Sequence, residues 1–299
     1  MIRKTLFALL LAGSFGAAAE RLTLTGSDAF VAMQKTTCGT VEAGVIRYGV
    51  FEGRAYSRIP GEKDRHMFDL LGVNVRHCKV SEDPKRGRSF RSVSREIMVY
   101  LDPETGVLID SWENPWTGET IKVLHVANDP VNMRAPRYER EADGSSSLSM
   151  PLRRYGDITA RSSEIPLFYT NPLGGDYQPY VGGTYHAMEI FDSFYDSKKL
   201  LDSSEPSIGQ SHLGWVRVAK WLPWLKMGDR PGWMIFNATG FNTFDRELLP
   251  ERLVKILDER FPEYWNPPPL DDDRPNETSW TVFKKYIEEH GDASSSEDR

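Results

Sequence analysis

The sequence is poor in cysteine and in basic charge, and it has no long apolar run. Two cysteines in 299 residues exclude a disulfide-rich scaffold and a metal centre built from cysteine. Acidic residues number 43 against 37 basic ones, so the net charge is -6, which argues against a nucleic-acid binder that relies on a basic field. No segment reaches the roughly 20 apolar residues that a membrane-spanning helix needs. We expect no nucleic-acid partner and no membrane span.

The short motifs of the commonest cofactor and hydrolase sites are missing too. The sequence has no GxGxxG after a strand, no GxxxxGK[ST], no HExxH and no GxSxG. Among the six histidines only His186, three residues before Glu189, has a spacing that suggests a metal site. On a strand, residues three apart point to opposite faces, so one ion would not reach both. The sequence predicts no nucleotide cofactor and no metal.

Aromatic residues, by contrast, are abundant. The chain has 8 Trp, 12 Tyr and 14 Phe, and 39% of its residues are hydrophobic, which is enough for a full core. Half of the tryptophans fall in one short segment, at positions Trp215, Trp221, Trp224 and Trp233. This concentration makes the segment a candidate wall of a binding site.

Residues 1–19 have the pattern of a secretory signal peptide. Arg3 and Lys4 precede a short apolar run at residues 6–12, and small residues at 17–19 form a cleavage site. We expect the mature chain to begin near Glu20 and the protein to be secreted or periplasmic.

Export to an oxidising compartment would permit a disulfide between Cys38 and Cys78. Two unpaired, buried thiols are the alternative, and the spacing of the two cysteines does not decide between them.

From about residue 96 onward, short alternating segments are broken by Gly, Pro, Asn and Asp, which is typical of antiparallel strands and turns. Turn residues at 102–106 and 114–118 predict successive hairpins, and further strands are expected at 183–194, 214–221 and 232–238. The polar segment 136–163 is expected to be a loop.

Two helices are predicted near the C-terminus. Leu253 and Leu257 form an apolar stripe after Pro250, and Trp280, Phe283 and Ile287 form a second one. We therefore predict one mainly β domain at residues 20–291, built as a large antiparallel β-barrel or barrel-like (lipocalin-like) sheet with two C-terminal α-helices. Residues 292–299 are expected to be a disordered tail.

A first candidate site surrounds His125. This histidine is followed by Asn128, Asp129 and Asn132, and an imidazole beside a carboxylate is typical of a general base whose tautomer the carboxylate fixes. On this interpretation His125 and Asp129 are catalytic, and Asn128 and Asn132 bind the ligand. The alternative is that the Asn and Asp side chains only stabilise their own turn and that His125 is a satisfied core residue.

A second candidate site is the tryptophan segment. Alternation along a strand places Trp215, Arg217 and Trp221 on one face, so the guanidinium lies between indoles. A buried arginine needs a carboxylate, a ligand anion or a stacking partner, and Arg217 could stabilise negative charge that develops in a reaction. The alternative is an arginine that lies across surface tryptophans and pairs with an outer aspartate.

Charged residues Asp229 and Arg230 lie in the turn between the two Trp-bearing segments. Loop residues at the rim of a sheet often line a ligand entrance, whereas most charged turns are simply solvated. We count both residues among the candidate ligand-binding positions.

Several long motifs resemble the DUF1838 family of exported proteins of unknown function. They are LDPETG at 101–106, WENPWTG at 112–118, HVANDPVN at 125–132, NPLGG at 171–175, WLPWLKMGDRPG at 221–232 and RPNETSW at 274–280. The resemblance extends over most of the mature chain. It implies an exported protein, but it implies no activity and no catalytic residue.

Together these features predict a protein that binds a small apolar or aromatic molecule in a Trp-lined barrel pocket. Such a protein either only binds the molecule or also transforms it by cofactor-free acid–base chemistry of the isomerase, lyase or hydrolase type. The alternative function is a non-catalytic carrier or a carbohydrate-binding module that stacks sugars on an exposed Trp platform.

Overall fold

A computed structural model describes residues 19–170 and 184–290 of the chain. The described part is mainly β, with thirteen strands and four α-helices. The signal peptide expected at residues 1–19 lies almost entirely outside the described residues, as do the NPLGG motif and the tail expected at 292–299.

The strands follow one another with few helical interruptions. They are β1 Glu20–Thr25, β2 Arg47–Arg58, β3 Arg65–Asp83, β4 Gly87–Leu101, β5 Ser111–Glu113, β6 Thr120–Lys122, β7 Val126–Asn128, β8 Arg137–Tyr138, β9 Ser149–Tyr155, β10 Ile158–Thr170, β11 Thr184–Asp196, β12 Ser211–Ala219 and β13 Trp233–Thr243. The helices are α1 Gly26–Cys38, α2 Ser197–Leu201, α3 Glu251–Arg260 and α4 Ser279–His290.

Eleven strands form one antiparallel sheet in the order β1-β9-β10-β11-β12-β13-β2-β3-β4-β7, with β8 also paired to β4. Strands β5 and β6 form a separate hairpin. The predicted mainly β, antiparallel fold is confirmed. Within the described ranges, β1 and β7 pair on one side only, so no closed barrel is found there.

The sheet has two apolar faces, because successive apolar side chains of its central strands point to opposite faces. On β3, Leu71, Val73 and Val75 pack outward against α3 and the short helix that follows it, where Leu253 and Leu257 are buried. The opposite, inner face holds a second cluster that includes Phe68, Tyr100, Trp224, Phe236 and Trp280. The last of these belongs to α4, so both predicted C-terminal helices are confirmed and cover different faces.

The prediction of a loop at 136–163 is wrong, because this segment contains β8, β9 and the start of β10. Strand β9 buries only Met150 and Leu152, while its other side chains are exposed. A strand with one thin apolar face is mostly polar in composition, which made the segment look like a loop.

Helix α1, which the sequence analysis did not predict, is tied to the sheet by covalent and polar contacts. Cys38 at its end forms a disulfide with Cys78 on β3, with a Cα–Cα distance of 5.8 Å. The Lys35 side chain is fully buried, and its ammonium donates to the backbone carbonyls of Lys199 (2.6 Å), Asp202 (2.8 Å) and Glu205 (3.2 Å). Helix α1 therefore fixes β3 and the β11–β12 connection at one end of the sheet.

Two glycines mark a close approach of β2 and β13. A Cβ atom at Gly53 would overlap the backbone oxygen of Asn237, and a Cβ atom at Gly240 would overlap the backbone oxygen of Val50. Glycine at such positions lets two backbones approach closely.

Candidate functional site

The inner face of the sheet encloses a cavity of about 360 Å³. Its lining comes from eight strands (β2, β3, β4, β7 and β10–β13) and from the first turn of α4. Strands β10 and β7 are far apart in the sheet order and yet border the same space. The cavity therefore brings together side chains that the sequence separates by more than a hundred residues.

A row of five residues, four of them polar, crosses this cavity from strand to strand. Asn242 pairs with Gly49, Gly49 with Asn74, Asn74 with Glu96, and Glu96 with Asn128. We call these five residues the polar row. Residues opposite one another in an antiparallel sheet share a face, so the register alone places all five on the cavity side.

Hydrogen bonds connect the polar row to its neighbours. Arg76 Nε donates to Asn74 Oδ1 at 2.8 Å, and Asn128 Nδ2 lies 3.5 Å from Glu96 Oε1. At the other end, Asn242 Nδ2 donates to Ser211 Oγ at 3.3 Å. The amides hold the carboxyl and the guanidinium in place along the row.

Glu96 is the acid of the polar row. Burial, together with the negative charge of Glu189, raises the pKa of its carboxyl above the usual value, although Asn74 and Arg76 act in the opposite direction. A cavity carboxyl with a raised pKa is a candidate general acid or base.

Arg217 forms an ion pair in the wall of the cavity. Its Nη1 donates to Glu189 Oε1 at 2.9 Å, and its Nη2 donates to the Tyr185 hydroxyl at 2.6 Å. Burial acts to lower the pKa of Arg217, but Tyr185 and Glu189 outweigh it and the pKa is raised. The sequence analysis placed Arg217 on the same strand face as Trp215, and this face lines the cavity. Its carboxylate partner, Glu189, lies on the neighbouring strand β11.

Aromatic rings form the apolar wall. Trp215 stacks on Phe191 with ring centroids 6.4 Å apart, and it meets the edge of Phe51 at 6.0 Å. The Phe236 ring lies 5.8 Å from Trp215 and is buried in the inner core behind the lining residues. Phe51, Phe191 and Trp215 give the cavity an apolar surface.

Three buried polar atoms of the cavity residues have no hydrogen-bond partner: Asn128 Oδ1, Trp215 Nε1 and Arg217 Nε. Four further atoms without a hydrogen-bond partner lie on residues elsewhere in the described part of the chain, and all seven are shielded from solvent. The three atoms of the cavity residues therefore belong to the interior of the cavity wall, and they do not by themselves mark a ligand site.

The structure does not bring His125 and Asp129 together. Nδ1 of His125 accepts a hydrogen bond from the Tyr100 backbone N–H at 3.2 Å, and its ring meets the edge of Phe261. Burial lowers the pKa of His125 to about 4. Asp129 instead pairs with Arg274 at 2.9 Å. Neither side chain lines the cavity, so the predicted catalytic pair has no shared site among the described residues.

The two asparagines near His125 separate. Asn128 belongs to the polar row, whereas Asn132 joins the C-terminal connector. Its Nδ2 lies 3.3 Å from Asp272, and its backbone N–H donates to Asn276 at 2.8 Å. Asn132 therefore positions the segment that leads into α4.

The four predicted tryptophans occupy different places. Trp215 lines the cavity, while Trp221 and Trp224 are 2% and 3% exposed in the inner core. Trp233 lies on the outer side of the sheet beside His186. The expectation that Trp221 shares the cavity surface with Trp215 is wrong, because β12 ends at Ala219 and the chain turns before Trp221.

Asp229 and Arg230 are exposed and line a separate depression of about 310 Å³ between Trp221 and Trp233. The backbone oxygen of Arg230 accepts a hydrogen bond from Trp221 Nε1 at 3.0 Å. These two residues lie outside the large cavity.

Sequence reasoning missed Asn74, Arg76, Glu96 and the pairing of Glu189 with Arg217. On β3, Asn74 and Arg76 alternate with Val73 and Val75, so a polar inner face was visible in the pattern. The cross-strand pairs could not be predicted, because they depend on the register between strands, and the sequence of one strand does not determine that register.

The described part of the chain meets the requirements of neither a metal centre nor a membrane-spanning helix. Across residues 19–170 and 184–290, no three His, Cys, Asp or Glu side chains are arranged to hold a metal ion. No α-helix in these two ranges is long and apolar enough to span a bilayer.

Comparison with known families matches one family model, described as a protein of unknown function (DUF1838), over residues 47–287. This range includes the polar row, the aromatic wall and the first turn of α4. A comparison with curated proteins finds no match. The match covers most of the chain and agrees with the resemblance seen in the sequence motifs, so the chain belongs to the DUF1838 family.

Proposed function

We propose that this protein binds a small molecule with an apolar or aromatic body inside the cavity of a barrel-like sheet. The observation that carries the proposal is a cavity of about 360 Å³ that is lined both by the aromatic side chain of Trp215 and by the ionisable side chains of Glu96 and Arg217. Ligand sites are commonly apolar clefts of this size with a few polar groups that fix orientation.

The barrel-like description is part of the proposal. Eight strands contribute to one cavity, which supports a sheet that curls around its contents, as in small ligand-binding barrels. Helix α1 lies at one end of the sheet and the first turn of α4 lines the cavity.

Tryptophan burial favours this function over the sugar platform. A platform requires indole faces open to solvent, but Trp221 and Trp224 are 2% and 3% exposed. A carrier without catalysis remains the alternative function, since a carrier needs the cavity but no proton-transfer group.

If the protein is an enzyme, we infer that Glu96 rather than His125 transfers the proton. Glu96 lines the cavity and has a raised pKa, whereas His125 lies outside it and has a lowered one. Arg217 lies in the same cavity and could stabilise an oxyanion formed when the proton is removed. This arrangement fits the acid–base reactions expected from the sequence.

Export is also a proposal, and the N-terminal pattern of Arg3, Lys4 and the apolar run is its basis. The Cys38–Cys78 disulfide supports it, because such bonds persist in oxidising compartments. N-terminal sequencing of protein recovered outside the cytoplasm should find a start near Glu20, and an uncleaved start would contradict the proposal.

The binding proposal is tested with N-phenyl-1-naphthylamine, a neutral aromatic probe whose fluorescence rises in apolar sites. We expect saturable binding of one probe per chain. Leu213→Trp should fill the cavity and weaken binding about tenfold or more, because Leu213 lines it. Val218→Trp is the matched control, since Val218 is on the same strand but 37% exposed on the other face.

Equal binding by both variants and the wild type would contradict the cavity proposal. Circular dichroism of the two variants checks that each keeps the fold.

A further inference from the structure

We propose that the cavity selects organic anions, in which an aromatic or aliphatic body lies against Trp215 and a carboxylate binds Arg76. This inference rests on the proposed function and adds the chemical class of the ligand.

Arg76 forms few of the interactions that its guanidinium group can make. A guanidinium has five N–H donors in a planar fork that matches a carboxylate. Arg76 Nε donates to Asn74 Oδ1, and within the described residues this is its one hydrogen bond. No described acidic oxygen lies within 4.0 Å of its nitrogens, so it forms no ion pair in that part of the chain.

The other charged groups of the cavity already have partners. Arg217 is paired with Glu189 at 2.9 Å. Glu277, at the start of α4, pairs with Lys285 and accepts from the Asp129 backbone N–H. The charge at Arg76 is therefore left for an incoming group.

Burial makes an uncompensated charge costly. Desolvation lowers the pKa of Arg76, which means that its surroundings disfavour the charged form. A buried arginine is stabilised when a carboxylate offers two parallel hydrogen bonds. A ligand anion would recover this interaction, whereas a ligand cation would add repulsion.

Glu96 does not cancel this preference. It acts on Arg76 electrostatically but forms no ion pair with it, and its carboxyl has a raised pKa. A ligand carboxylate beside Arg76 would disfavour a second negative charge on Glu96 and raise that pKa further. Binding of an anion should therefore be accompanied by uptake of a proton.

The length of the site suggests the size of the ligand. The Phe51 ring lies over Gly72, and Arg76 is four residues further along the same face of β3. Four residues of extended strand span about 13 Å, which suits a body of one or two rings that ends in a carboxylate.

The test uses three probes with one ring system and different charges: 2-naphthoate, 2-naphthamide and 2-naphthylmethylammonium. Isothermal titration calorimetry measures their affinities for the full exported chain. We expect the naphthoate to bind about tenfold or more tightly than the other two. Titration in two buffers of different ionisation enthalpy should reveal proton uptake for the naphthoate alone.

Arg76→Gln should remove the preference for the naphthoate and leave the affinity for the naphthamide within about twofold. Arg153→Gln is the matched control, since Arg153 is exposed on β9 and loses the same charge. Arg76→Lys, which keeps the charge but not the fork, should retain part of the preference.

The outcomes separate the two proposals. Equal or tighter binding of the naphthamide or the ammonium probe by the wild-type protein would overturn the anion inference and leave cavity binding intact. Absence of binding by all three probes and by N-phenyl-1-naphthylamine would overturn the proposed function itself. The wild-type comparison decides the matter even if Arg76→Gln does not fold.

Discussion

Arg217 on β12 and Glu189 on β11 are direct cross-strand partners, and their side chains form a 2.9 Å ion pair inside the cavity. The two side chains are 22% and 18% exposed, so water screens them only partly. The pair links two strands of the sheet and also lines the cavity. Its contribution to stability can be measured with single and double variants.

Removal of one member of this pair should destabilise the fold more than removal of both. Arg217→Met and Glu189→Gln should each lower the free energy of unfolding by about 2–3 kcal/mol, because a partly buried group loses its partner. The double variant should lose clearly less than the sum, which urea denaturation measures. Strict additivity would mean that the two groups are not coupled in solution.

Glu96→Gln should stabilise the protein at neutral pH. A carboxyl whose folded pKa is raised favours folding at low pH, and this contribution is lost as the pH rises through the folded pKa. The amide keeps the shape and removes the charge, so we expect a higher Tm than that of the wild type at pH 7. The difference should vanish near pH 4. If the protein is an enzyme, the same variant should lose turnover while it keeps probe binding.

His125 should make stability depend on mildly acidic pH. Its pKa falls from 6.5 to about 4 on folding, so the unfolded chain binds more protons between these values. Stability is then full above pH 6.5 and declines as the pH falls toward 4, by about 2–3 kcal/mol. His125→Asn keeps an acceptor for the Tyr100 N–H and should flatten this slope in urea unfolding measured from pH 4 to 7. An unchanged slope would show that another group is responsible.

Lys35→Met should be strongly destabilising, although it places an apolar side chain at a buried position. The substitution leaves the carbonyls of Lys199, Asp202 and Glu205 without their shared donor. We expect a loss of about 2–4 kcal/mol in the free energy of unfolding. Lys198→Met, at a side chain that is 78% exposed, is the control and should stay within about 0.5 kcal/mol of the wild type.

The Cys38–Cys78 disulfide closes a sequence separation of 40 residues. Replacement of both cysteines by alanine should lower the free energy of unfolding by about 4 kcal/mol, since the unfolded chain gains conformational freedom. Thiol titration of the denatured, unreduced protein should find no free thiol. Two reactive thiols in protein from an oxidising compartment would contradict the pairing.

Sequence patterns were sufficient for the features that depend on local order. The spacing of Leu253 and Leu257, and of Trp280 and Phe283, predicted both C-terminal helices. Alternation placed Arg217 and Trp215 on one face of a strand. Each of these predictions needs only the geometry of a single element.

The candidate site could be predicted only in part, because its chemistry depends on the alignment of separate strands. Glu96 was visible at the start of a predicted strand, but nothing local placed it beside Asn74 and Asn128. His125 looked like a base because Asp129 follows four residues later, yet the extended strand β7 lies between them and Asp129 pairs with Arg274. Long-range pairing assigned these partners, and one sequence does not contain that information.

The close approach of β2 and β13 at Gly53 and Gly240 makes the geometry of the cavity depend on two residues that do not line it. Strand β13 carries Asn242 and strand β2 carries Gly49, so any side chain that forces these backbones apart also shifts one end of the polar row against the other. Substitutions at the two glycines would alter affinity without removing a group that touches the ligand. Mutations at positions outside the cavity can therefore change ligand affinity.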